Sequence, residues 1–119
     1  MSNEITITTG LQLVNGNLSV SAATTTLQFD QTTARGGSPG TQDIGTSEET
    51  ISFGDVIPGF VWMRNLDVTN FVTWGNVTGN LDQKLRPGGT TLIEMVSGGV
   101  LIMKADTVGC KVQIVSVNI

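Results

Sequence analysis

The side chains of this 119-residue chain that could hold a metal ion or form a carboxylate or thiol catalytic group are ten carboxylates and one thiol. Glu48-Glu49, Asp55, Asp67, Asp82, Glu94 and Asp106 could in principle move protons or hold a divalent cation. None falls in a calcium-loop spacing or a glycosidase-like local signature, so solvated turn and loop acids are the expectation. Nucleophilic catalysis by serine or cysteine needs an adjacent base, and the absence of histidine excludes Ser-His and Cys-His pairs within the chain. Cys110 lies in the strand-like run "TVGCKVQIV" and is expected to be a buried, inert thiol. A single cysteine without histidine supplies neither an intrachain disulfide nor a Cys/His metal set. Neither GxxxxGK[ST] nor GxGxxG occurs, and "GGSPG" lacks the lysine and the strand-to-helix setting for phosphate. The expectation is a non-enzyme with no cofactor and no metal.

Charge narrows the partners. The formal net charge is -4, the sequence pI is about 4.4, and only 13% of residues are charged. An acidic chain is repelled by phosphate backbones unless its cations cluster. Arg35, Arg64, Lys84, Arg86, Lys104 and Lys111 are scattered, with only Lys84 and Arg86 close, so nucleic acid is not an expected partner. The opening "MSNEITITTG" has no signal-peptide h-region, and the longest apolar run, Val100 to Met103, is far short of a membrane span. The sequons at Asn17 and Asn76 are read as chance in an Asn/Thr-rich chain.

The elements that would have to position any site are β-strands. Thr, Val and Gly dominate, and no window carries sustained helical spacing. Short runs at 5–9, 11–14, 17–20, 24–29, 49–53, 60–66, 71–75, 80–85, 90–96, 100–105 and 110–117 alternate or are β-branched, with turn residues between them. Asn15-Gly16 suits a tight hairpin turn, and Pro87 in "RPGG" a bend. About nine or ten short strands at this spacing predict an all-β antiparallel β-sandwich or jelly-roll-like fold in one domain, residues 1–119. Residues 30–49, "DQTTARGGSPGTQDIGTSEE", lack an apolar period and are expected to form a long Gly/Ser/Thr-rich excursion kept for contact with another chain or simply mobile on the surface.

Both tryptophans and two of four phenylalanines fall within Phe60–Trp74, in a chain with no tyrosine. At period two, Phe60, Trp62, Arg64, Leu66 and Val68 share one face, and Val61, Met63 and Asn65 the other, as in a strand buried on two sides. "RNLDVTN" then turns, and "FVTW" restarts. Trp62 is read as core. Trp74, beside Gly75 and Asn76 at a strand end, is the candidate for an exposed aromatic contact, with Asn70, Asn76 and Asp82 as polar neighbours.

From "GDVIPGFVWMRNLDVTNFVTWGN" through the "LRPGG" turn to "MKADTVGCKVQIVSV", roughly Glu49 to Val117, the chain resembles small virion structural proteins of tailed bacteriophages. "FDQTTARGG" extends the likeness. The resemblance implies a β-sandwich or jelly-roll capsid decoration (cement) protein, often trimeric, with no catalytic residues. Its implied partners are the major capsid protein and further copies of itself. It would be made in the host cytoplasm and reside in the virion. Arg35, Gly36, Gly37, Ser38, Pro39 and Asp43, with the N-terminal "MSNEITITTG", are the candidate interface. Apolar edge strands such as "VLIM" would invite aggregation unless covered, which oligomerisation would do. A carbohydrate-binding β-sandwich built on Trp74, or a head-fibre or tail component, is the alternative.

Overall fold

The computed structural model describes residues 4–119, so the first three residues of the N-terminal candidate interface lie outside it. Ten strands and no helix are present among the described residues: β1 (Ile5–Asn15), β2 (Leu18–Phe29), β3 (Gly36–Ile44), β4 (Glu49–Thr50), β5 (Phe60–Asn65), β6 (Val72–Gly75), β7 (Gln83–Leu85), β8 (Thr90–Glu94), β9 (Ile102–Ala105) and β10 (Cys110–Val117). The expected all-β antiparallel architecture is present. The chain divides into two compact units, Met1–Thr32 and Thr33–Ile119.

The second unit is a sandwich of two four-stranded antiparallel sheets, ordered β3-β10-β5-β8 and β4-β9-β6-β7. Counted from β3, the orders are first-eighth-third-sixth and second-seventh-fourth-fifth. That is the double Greek-key winding of an eight-stranded jelly roll. Alternation explains the core: Val61, Met63 and Asn65 of β5 and Val112, Ile114 and Ser116 of β10 are fully buried on the inner face of their sheet. Val72 and Trp74 of β6, Leu85 of β7 and Met103 and Ala105 of β9 join the same buried cluster from the other sheet. Burying a side chain of this size stabilises by about 1.5–3 kcal/mol, so this one layer dominates the stability of the unit. Val100–Met103, expected at a sheet edge, instead leads into β9, which lies between β4 and β6 with Leu101, Ile102 and Met103 buried.

The first unit is a single hairpin of β1 and β2. Its two-residue connection is Gly16-Asn17, one residue later than expected, with Asn15 paired to Leu18 and Gly16 at φ +59°. A β-bulge lies between the pairs Thr9↔Thr25 and Leu11↔Ala22, where β2 carries one extra residue. Gly10 makes it possible: a Cβ there would come 3.0 Å from the Thr24 hydroxyl and 3.3 Å from the Thr24 Cα.

Candidate interaction surfaces

Residues 30–49 depart from expectation. Nine of the twenty residues of the presumed excursion are β3, paired with β10 and contributing the buried Ile44. The segment lacks apolar alternation because it is an edge strand with glycine and proline in it. Gly37 and Gly40 take φ of +95° and +85°, conformations that side chains disfavour.

The candidate interface residues are therefore engaged with their own sheet. Gly36 packs on Val117, the Ser116 hydroxyl donates to the Ser38 carbonyl, and Pro39 pairs with Val115. The Asn118 amide donates to the Arg35 carbonyl at 3.0 Å, and the Arg35 guanidinium lies 3.7 Å from the Asp55 carboxylate. Lys111 Nζ meets Asp43 Oδ1 at 2.9 Å, an exposed cross-strand pair. Such pairs contribute at most about 1 kcal/mol. The outer edge of β3 is blunted by a proline without an amide proton, two left-handed glycines and a charge. The other edge strands are short, and β7 and β8 carry Lys84 and Glu94. The jelly roll thus guards its edges.

Trp74 is corrected outright: it is 7% exposed and belongs to the core. Asn70 and Asn76 lie beyond opposite ends of the strand that carries it. Asn76 Nδ2 donates to the Val100 carbonyl at 2.8 Å, and the Thr107 hydroxyl to Asn70 Oδ1 at 3.3 Å. These residues form no aromatic platform with Asp82. Trp62, read as core, is the more exposed tryptophan. It lies in a half-buried apolar row across the outer face of the first sheet, Leu92–Trp62–Val115–Pro39. The facing of β5 explains the exchange: Val61, Met63 and Asn65 take the interior, and Trp62 and Arg64 the outside.

The arch after β5 is held by one buried amide. Asn65 Nδ2 donates to the carbonyls of Asn70 at 2.9 Å and Leu85 at 3.1 Å, and Oδ1 accepts the Asp67 amide at 2.9 Å. Asp67 Oδ2 in turn accepts the amides of Thr69 at 2.9 Å and Asn70 at 2.6 Å. Those backbone bonds hold its carboxyl below the usual range. Cys110 is buried, with Val108, Asn70 and Phe71 carbonyls around its sulfur. Burial, with the Asp67 and Asp106 carboxylates, pushes its thiol up, as for an unreactive cysteine.

The surface that sequence reasoning missed is the hairpin. The bulge shifts the pairing by one residue, which in a strand of period two turns β2 over. Ile5, Ile7, Leu11 and Leu13 of β1 therefore share a face with Leu18, Val20, Ala22 and Leu27 of β2, interrupted by the Thr9–Thr25 pair and ending at Asn15. Thr6, Thr8 and Gln12 share the other face with Ser19, Ser21, Thr26 and Gln28. Leu11 is 67% exposed, Leu13 45% and Leu27 57%. Residues 5–29 contain no Asp, Glu, Lys or Arg; every charge of the chain except Glu4 and Asp30 lies at or beyond Arg35. The signal was present in the alternation of "ITITT" and "LQLV", but the face of β2 depends on where the bulge falls.

Comparison with protein-family models, with characterised proteins and with solved structures finds no match to this chain.

Proposed function

We propose that the protein is a structural component of a tailed-bacteriophage particle, a capsid decoration protein that clamps neighbouring subunits of the shell. The observation that carries this reading is the division of labour between two units. A jelly roll with guarded edges is joined to a charge-free hairpin with an apolar face in solvent. Contiguous apolar surface of this kind marks a protein contact. The jelly roll occurs in viral capsid, lectin and cupin domains, so the fold alone does not choose among them. The lectin alternative loses its carrier with Trp74 in the core. The resemblance read from the motifs of residues 49–117 points the same way.

The mechanism is multivalent burial. Several weak contacts between joined copies and one lattice add as effective concentration, so the shell is held without any single tight interface. The test is to add the purified chain to particles that lack it, then measure co-sedimentation and the temperature at which the shells open. Saturable binding to heads with a raised opening temperature is expected. Binding confined to tails would move the protein from shell to tail, and no binding to either would overturn the reading.

A further inference from the structure

We infer that the β1–β2 hairpin is a self-association module: hairpins from several copies of this chain pair edge to edge, with their apolar faces turned inward. This does not depend on the virion reading, because it follows from the hairpin itself.

Three observations lead to it. An isolated two-stranded hairpin is marginal in water, because it has no second layer on which to bury its apolar face. Here, among the described side chains of β1 and β2, only Ile5 is buried and Ile7 partly so. The strands also pair on one side each among the described residues, leaving two unpaired edges of 11 and 12 residues. Neither edge carries a proline or a charge within β1 or β2. Those are the devices with which proteins block strand addition, and β3 of the same chain uses them.

The occupant follows from charge. A partner surface bearing carboxylates or ammonium groups would have to desolvate them against a face with no counter-charge. A second copy of the hairpin brings no charge and offers the same apolar residues. Geometry then selects a ring. Pairing β1 with β1 of one other copy leaves both β2 edges open, whereas β1 with β2 of the next satisfies every edge once the ring closes. On the order of six to eight strands, about three or four copies, close with an interior that side chains fill. Leu11, Leu13, Leu18, Val20 and Leu27 would form that filling, and the Thr/Ser/Gln face would remain in water. A lipid bilayer would invert this arrangement. A membrane hairpin carries aromatic girdles at both interfaces, whereas β1 and β2 hold a single aromatic residue, Phe29, at one end only.

Adjacent residues on one strand give the test. Leu13 is on the apolar face, while Val14, 63% exposed, is on the opposite one. Light scattering of the full chain and of Leu13→Lys and Val14→Lys separates the effects of face and charge. The expected result is a discrete oligomer of about three or four copies, unchanged in Val14→Lys. Leu13→Lys should dissociate to monomers with association weakened roughly a hundredfold or more by the buried ammonium. Tryptophan emission, which reports residues 62 and 74 in the other unit, should remain native in all three. A monomeric parent chain, a dimer, or equal loss in both variants would overturn the inference. So would release of dye from neutral phosphatidylcholine vesicles by the parent chain, since that would assign the apolar face to lipid.

Discussion

Asn65 offers the sharpest test of how the jelly roll is held together. Its amide is fully buried and makes three hydrogen bonds, two donated to the Asn70 and Leu85 carbonyls and one accepted from the Asp67 amide. Its backbone adds two more, donating to the Gly89 carbonyl and accepting from the Gly88 amide, each at 3.0 Å. One residue therefore ties β5 to the 66–70 arch, to the end of β7 and to the turn before β8. Replacing it with alanine keeps the backbone bonds and strips all three side-chain bonds. The Leu85 carbonyl, which also faces Val72 across the β6–β7 ladder, loses its buried side-chain partner, at about 1–3 kcal/mol, and the two part-buried partners add roughly 1 kcal/mol each. The total of about 3–5 kcal/mol exceeds the effect of most single substitutions. At about 4–8 °C per kcal/mol for a unit of this size, the melting temperature should fall by more than about 10 °C.

Asn65→Asp adds a sign that packing cannot mimic. Its carboxylate would face two carbonyl oxygens, which disfavours the charged form and raises the folded-state pKa. The variant's stability should therefore be greatest below the unfolded carboxyl pKa and decline as pH rises through the folded one. Urea unfolding followed by tryptophan emission measures both variants across pH. An Asn65→Ala loss below about 1 kcal/mol, within reach of an ordinary surface substitution, would refute the role given to this amide. So would an Asn65→Asp variant that grows more stable from pH 4 to pH 7.

Three further outcomes are expected. Asp67 has a depressed folded-state carboxyl pKa, so its stabilisation is present above the unfolded carboxyl pKa and lost as pH falls through the folded one. Asp67→Asn should remove that part of the acid-induced loss of stability, measured by urea titrations between pH 6 and pH 3. Gly75→Ala would place a Cβ 2.5 Å from the Asn80 carbonyl oxygen and 3.2 Å from the Leu81 Cα, and should cost about 1–3 kcal/mol in thermal unfolding. Cys110 should react with a disulfide reagent slowly in the native protein and fast in urea, while a native rate matching that of a free thiol would contradict its burial.

Much of the jelly roll was legible in the chain because alternation and turn residues are local. The runs at 60–66, 71–75 and 110–117 became β5, β6 and β10, since period-two patterns report burial directly. β3 was not legible: its glycines and proline carry the signature of a loop, and only pairing with β10 makes them a strand. The surface candidates failed for a related reason. Exposure of Trp62 and Trp74 depends on which face of each strand the opposite sheet covers, a fact of packing that neither strand encodes alone.

The sequence by itself determined an all-β chain, an uncharged run from residue 5 to residue 29 and the absence of histidine chemistry, because composition and short-range periodicity carry that information. Tertiary structure alone decided three things: the jelly-roll winding, the conversion of an apparent excursion into a sheet edge, and the hairpin bulge that gathers the leucines of β1 and β2 onto one face. Each rests on pairing between residues distant in sequence, where a shift of one residue exchanges the inside of a sheet for the outside.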